Sequence, residues 1–291
     1  MFRTVLVPQT GQSTDGKALE AAAVLMREGN GHMRCIYVHD DAAAIASTIQ
    51  TDAMGVPVVT PDLITMLEKE ATAQRLQARK AFDSFCKQNC IATTERDPNS
   101  GSLSASWSEV SADVVATIAS ESSYHDAVVM ARDGDFAKPS SHDIGSIVIS
   151  SGRPVVLVPA AWRPQPFHKI SIAWKETPEA ARAVAAALPI LEKAREVSVF
   201  CAAEDRELDV ARKSAHDCSA YLKQHRIFSE SRGLNADKAD VSAVLLSEAM
   251  AVGTDLLVLG AYGHSRLREF AFGGFTREAL FNAPIPLFLM H

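Results

Sequence analysis

Two widely separated stretches of this chain read as the same strand. Tyr124-His-Asp-Ala-Val-Val-Met-Ala131 and Gly253-Thr-Asp-Leu-Leu-Val-Leu-Gly260 each place an Asp third and an apolar run behind it. The echo extends outward. Arg3-Thr-Val-Leu-Val-Pro-Gln9 and Lys169-Ile-Ser-Ile-Ala-Trp174 are β-branched runs behind a basic residue. Each meets a polar turn and then an Ala-rich helix, opening near Thr14-Asp15 and near Thr177-Pro178, where Thr suits an N-cap and Pro the first helical position. Second strands follow at Met33–His39 and Glu196–Cys201, with long helices at about 61–89 and 207–224. Third strands fall near 103–110 and 227–233, and short helices near 112–122 and 241–251. Last strands close each half at Gly152–Pro159 and Ala283–Met290. A duplicated chain must solve one folding problem twice, and strands alternating with helices solve it as βαβ units with a parallel sheet.

The first half is the longer. Its excess lies largely in an Ala/Thr-rich connection between Asp40 and Pro61 and in the helix after it. The halves are read as residues 1–160 and 168–291, joined by a linker at 161–167 that carries two prolines. With 291 residues, 47% of them hydrophobic, each half can bury a core. The net charge of −6 argues against a nucleic-acid surface, which needs clustered Lys and Arg. No apolar run approaches the roughly 18 residues that span a bilayer, and Met1-Phe-Arg-Thr4 has no leader pattern, so a cytoplasmic protein off the membrane is expected. Five cysteines without framework spacing suit a reducing compartment. Cys86 and Cys90, four apart, are expected to share a helix face as ordinary thiols.

In doubly wound sheets ligands sit beyond the carboxyl ends of the strands, so the loops after the first and fourth strands carry the interest. The second half reads Gly260-Ala-Tyr-Gly263-His-Ser-Arg-Leu-Arg-Glu-Phe-Ala-Phe-Gly273-Gly274-Phe-Thr276. Glycines let a backbone approach a ligand, and the amides of Gly273, Gly274 and Phe275 at a helix N-terminus suit phosphate. His264, Ser265, Arg266 and Thr276 add donors nearby. The bland alternative is that these glycines only make a tight turn and let a helix pack closely.

This loop resembles that of the universal stress protein family, whose nucleotide-binding members carry Gly, two residues, Gly, nine residues, then Gly followed by Ser or Thr. Gly260, Gly263 and Gly273 stand at that spacing; Gly274 replaces the hydroxyl residue, and Thr276 lies two further on. The resemblance covers about residues 2–159 and 168–291 and is to the tandem subclass. It implies an adenine nucleotide α-hydrolase-like, Rossmann-like α/β fold: two five-stranded, doubly wound parallel sheets of strand order 3-2-1-4-5. It also implies ATP or another adenine nucleotide as ligand of the second half, with binding and sensing rather than turnover. Slow ATP hydrolysis occurs in some relatives, but no base for it stands out here. Binding members place an Asp after the first strand; this chain has Thr10 and Lys175 there. Relatives associate through their last strands, which implies antiparallel pairing of residues 155–158 with 286–290 inside one chain, and admits a homodimer. The rival reading is a scaffold whose paired halves bind other proteins and no nucleotide. A less favoured one is an enzyme of the wider hydrolase-like group.

The first half has lost the loop: Gly134 is the only glycine between Met130 and Gly145, and Asp133 and Asp135 would repel phosphate. Those two with His142 and Asp143 admit a cation, though no ligand spacing supports one. Asp126 and Asp255 are expected to fix the turn before each fourth strand. Trp107, Trp162 and Trp174 are expected in packing, and nothing is read into His291.

Overall fold

Strands such as Thr4-Val-Leu-Val-Pro-Gln9 and Lys169-Ile-Ser-Ile-Ala173 are apolar on both faces, as strands covered by helices on each side must be. The computed structural model describes residues 2–26, 31–39, 61–94, 101–132, 141–237, 240–263 and 274–291. Its first half runs β1 (Thr4–Gln9), α1 (Asp15–Leu25), β2 (His32–His39), α2 (Pro61–Gln88), β3 (Ala92–Thr93), β4 (Ser104–Ser111), α3 (Val114–Ser122), β5 (Ala127–Arg132), α4 (Ser141–Ser150) and β6 (Val155–Pro159). The second runs β7 (Lys169–Ala173), α5 (Pro178–Leu191), β8 (Glu196–Ala203), α6 (Leu208–Gln224), β9 (Glu230–Asn235), α7 (Val241–Ala251), β10 (Leu256–Gly260), α8 (Gly274–Asn282) and β11 (Leu287–Met290). Thr177 caps α5 as expected, accepting from the Ala180 amide at 3.3 Å, with Pro178 at its first position.

The strands form one eleven-stranded sheet ordered β3-β4-β2-β1-β5-β6-β11-β10-β7-β8-β9. Within it β4-β2-β1-β5-β6 and β9-β8-β7-β10-β11 each follow the expected 3-2-1-4-5 order. One detail differs from expectation: the two-residue β3 pairs parallel outside β4. The two five-stranded sheets join into one at β6 and β11, where the last strands are expected to pair. Continuity arises because β6 and β11 would otherwise be apolar edges with unpaired amides and carbonyls. They pair antiparallel, Leu157 opposite Leu287 and Val155 opposite Leu289. These are the last-strand segments singled out from the sequence. Helices cover both faces, and each of the two core layers draws on both halves: Val5, Val129 and Ile172 share one, Leu6, Val128 and Leu259 the other. Among the described residues no helix is long and apolar enough to cross a membrane.

The duplication is visible atom by atom at the repeated Asp. The Asp126 carboxylate accepts from the amides of Arg3 and Thr4 at 2.7 and 2.9 Å, and its own amide donates to the Thr4 carbonyl. The Asp255 carboxylate accepts from the amides of His168 and Lys169 at 3.1 and 2.9 Å, and its amide donates to the Lys169 carbonyl. Both Asp residues are expected from sequence to fix the turn before their own strand; their carboxylates instead accept from the amides of Arg3 and Thr4 and of His168 and Lys169. Each clamps the opening of the neighbouring first strand. The clamp makes Thr4, not Arg3, the equivalent of Lys169.

One contact has no such double. Arg132, at the end of β5, donates from both terminal guanidinium nitrogens to the carbonyls of Phe281 and Ala283 at the C-terminal end of α8. A cation there meets orphan carbonyls and the negative end of the helix dipole. Cys86 is buried within α2, but Cys90 lies beyond the helix end with φ of 53°, exposed, so the two thiols do not share a helix face. Of the tryptophans, Trp162 is buried and Trp107 packs on Phe82.

Candidate functional site

The carboxyl ends of β7 and β10 carry the second-half loop. At Gly260 a Cβ would lie 2.4 Å from the Ala180 amide nitrogen, so the glycine is what lets the start of α5 rest against the end of β10. Tyr262 follows, buried, with φ of 59°, a left-handed conformation costly for an aromatic residue. Its amide points at the Thr276 hydroxyl, 3.5 Å away in the first turn of α8. This long contact still brings Tyr262 to the first turn of α8. Thr276 is buried with its hydroxyl turned to the loop backbone. His264, Ser265, Arg266 and Gly273 lie outside the described residues.

A carboxylate sits beneath that loop. Glu179 is 5% exposed, and its Oε2 would lie 3.4 Å from a Cβ on Gly263. Its Oε1 accepts from Arg182 at 3.1 Å. Arg182 also donates to the carbonyl of His291, whose Nδ1 lies 3.0 Å from the Ala261 carbonyl. His291, unread in the sequence, thus ties the last residue to the loop. Lys175 is exposed on the turn after β7, and Trp174 donates from its indole to Ser214 on α6 at 3.0 Å.

The first half builds its equivalent loop differently. Thr10 occupies the position of Lys175. Asp15, from the first turn of α1, takes the Thr10 amide at 2.9 Å, the Thr10 hydroxyl at 2.8 Å and the Gly11 amide at 2.8 Å. The loop is therefore closed by an acid five residues on from Thr10. Burial holds the Asp15 carboxyl above the ordinary carboxylate range, despite the hydrogen bonds from Thr10 and Gly11 that favour its charge. Gly11 has φ of 77°, and a Cβ on it would lie 2.4 Å from the Gln74 carbonyl oxygen of α2. Beside this loop is a cavity of about 240 Å³ at the carboxyl ends of β1, β2 and β5. Gln9, Thr10, Tyr37 and His39 line one side, and Val114, Ile118 and Met130 the apolar side. Asp113 and Asp143 also line it. Asp133 and Asp135 lie outside the described residues, and among the described residues no cluster of three His, Cys, Asp or Glu could hold a metal ion.

Sequence reasoning missed both Asp15 and the cavity. The available signals were a Gln ending an otherwise apolar strand and an Asp, four residues after a glycine, starting an Ala-rich helix.

No protein-family model matches the chain, and no curated protein matches it in sequence. Solved structures do match in fold. A universal stress protein from Archaeoglobus fulgidus DSM 4304 superposes with a TM-score of 0.64 at 12% identity, over 99% of this chain and 95% of that one. A functionally unknown protein from Pseudomonas aeruginosa PAO1 superposes with a TM-score of 0.59 at 14% identity, over 99% and 92%. The cytoplasmic domain of a prokaryotic cation chloride cotransporter does so with a TM-score of 0.52 at 12% identity, over 99% and 95%. The same architecture thus occurs on a domain of a transporter, so fold alone does not select a function. Two clamped half-sheets, a last-strand seam and these superpositions agree on one statement: over nearly its whole length the chain has the universal stress protein fold.

Proposed function

We propose that this chain is a binding and sensing protein of the universal stress type, with an adenine nucleotide, ATP in the first instance, held by the second half. The observation that carries this reading is the approach of the Tyr262 amide to the Thr276 hydroxyl. It sets the start of α8 at the end of β10, beside β7, where strand order reverses. A helix N-terminus at such a switch point offers amide donors and a positive dipole end to a phosphate. Gly263 gives the backbone close approach. His264, Ser265, Arg266 and Gly273 complete the set in sequence. The loop sequence names no base for hydrolysis, and binding rather than turnover is the proposed output.

Two observations favour a second reading, a scaffold that binds partner proteins without nucleotide. Gly260 is explained by packing against Ala180 alone, and the Glu179 carboxylate beneath Gly263 opposes phosphate. A calorimetric ATP titration separates the readings. Saturable binding by the wild type, lost in the Gly263→Val, Gly273→Val double variant and tightened several-fold in Glu179→Gln, supports the nucleotide reading. No saturable binding at millimolar ATP leaves the scaffold. Because β6 and β11 already join within the chain, we propose that a homodimer, if formed, uses other surfaces. Light scattering across a concentration series tests this, and a dimer abolished by substitutions in β6 or β11 would refute it.

A further inference from the structure

The two ends of the sheet differ. β4 and β9 hold equivalent places, as the third strand of each half. Outside β4 lies β3, paired to Ser104 and Ala105. Outside β9 no strand lies among the described residues, so Glu230–Asn235 is a free edge. It joins β8 residue for residue, from Ser198 opposite Glu230 to Ala203 opposite Asn235, without a bulge. The Ala236 amide donates to the Ala203 carbonyl, so even-numbered residues turn their backbone groups to β8. By alternation Ser231 and Gly233 turn theirs outward. Such edges are ordinarily blunted by Pro, Lys or a bulge, and β9 has none of these.

The side chains select what covers this edge. Ile227 is buried, Phe228, Glu230 and Arg232 are exposed, and Ser229 and Ser231 are half-buried between them. Phe228 is apolar yet 77% exposed. Phe228, Glu230, Arg232 and Leu234 therefore share one face, and the row is self-complementary about Ser231. An antiparallel second copy centred there sets Glu230 opposite Arg232 and Phe228 opposite Leu234, each twice by symmetry. Centring on Arg232 would set two guanidinium groups against each other, and centring on Gly233 would set Arg232 opposite Leu234. Charge thus selects one register. Arg232 donates to its own Glu230 at 2.9 Å and to Glu248 at 2.7 Å. Its fork has donors enough to keep Glu248 and turn to Glu230 of the second copy. The Ser229 carbonyl takes the Ser219 hydroxyl at 3.1 Å and can accept a second donor, from Gly233 of the second copy.

We infer that two copies of the chain pair antiparallel through β9, in the register centred on Ser231, and so extend the sheet across a twofold axis. The inference rests on the reading that a homodimer uses surfaces other than β6 and β11, and it names the surface.

The test is light scattering of the full chain across a concentration series, where a monomer–dimer equilibrium is expected. Ser231→Pro removes an outward amide and leaves the bonds to β8, so it should fold and stay monomeric. Glu230→Arg and Arg232→Glu each set like charges opposite one another and should each weaken self-association about tenfold. Mixed together, these two variants restore both opposite-charge pairs and should associate as the wild type does, even if Ser231→Pro does not fold. A wild type monomeric throughout the series, a dimer indifferent to the three variants, or a mixture no tighter than its components would each overturn the β9 assignment alone. A dimer abolished instead by substitutions in β6 or β11 would overturn the reading beneath it as well.

Discussion

The loops after β1 and β7 hold equivalent places in the two halves and do different things. In the first half Asp15 reaches back to hold Thr10 and Gly11, and a cavity remains open beside them. In the second half Ala180 stands where Asp15 does, the start of α5 lies against Gly260, and Glu179 and Arg182 occupy the space beneath the loop. Ala131, the counterpart of Gly260, accommodates a Cβ; Gly260 cannot. One methyl group at the end of the fourth strand thus marks how close the first helix of each half may come. The lesson is that a glycine loop and an open cleft are separable: the half that retains the glycines is the closely packed one.

The sharpest way to break this comparison is to add the missing methyls. Gly11→Ala would meet the Gln74 carbonyl and demand a left-handed conformation. Gly260→Ala would meet the Ala180 amide. Both should lower stability in urea melts, Gly11→Ala by about 3 kcal/mol and Gly260→Ala by about 2 kcal/mol. If Gly260→Ala were neutral, the close approach of α5 would not be what the glycine serves, and its place in the phosphate-loop pattern would be its only remaining role.

Next in size is the lock between the halves. Arg132→Met keeps the aliphatic stem but leaves the carbonyls of Phe281 and Ala283 without their donors. A loss of about 2 kcal/mol is expected. Hydrogen exchange should rise first at the end of α8, before the β6–β11 seam opens. Uniform loss of protection across the chain would show instead that the halves unfold as one body.

Much of this architecture is legible in the sequence because it is written in patterns of period and repetition. Apolar runs such as Val155–Val158 fix buried strands, Thr177-Pro178 fixes a helix start, and the paired Asp126 and Asp255 fix the duplication. The candidate sites are less legible for a physical reason. Gly260 reads identically whether it admits a phosphate or a helix, since both need an absent Cβ. Asp15, at the start of an Ala-rich helix, reads as an acid favoured by the helix dipole, and only the fold shows that it holds the preceding loop. The partners of Arg132 lie so far along the chain that no local pattern could announce them.

A smaller effect separates the two loops by pH. The raised folded-state carboxyl of Asp15 means that the folded protein holds this proton more tightly than the unfolded chain. The contribution is therefore full below the unfolded value of about 3.9 and declines as pH rises through the higher folded value. Asp15→Asn removes this titration. The stability difference between variant and wild type should shift in favour of the variant as pH rises across that window. An opposite slope would mean that the donors from Thr10 and Gly11 outweigh burial.

The smallest predicted effect is a difference between equals. Asp126→Ala and Asp255→Ala each remove a carboxylate that accepts two strand-opening amides, and each should cost about 1–2 kcal/mol. The two clamps share no partner, so the double variant should be additive within about 0.5 kcal/mol. They differ in one respect: Gln165, in the connection between halves, donates to Asp255 at 2.8 Å. That bond is exposed, so Asp255→Ala should exceed Asp126→Ala by only a few tenths of a kcal/mol, and Gln165→Ala in the wild type should account for the excess. Matching losses would mean that the two clamps have stayed interchangeable while the loops above them diverged. A much larger loss at either Asp would place the divergence of the halves at the base of the strands as well as at their ends.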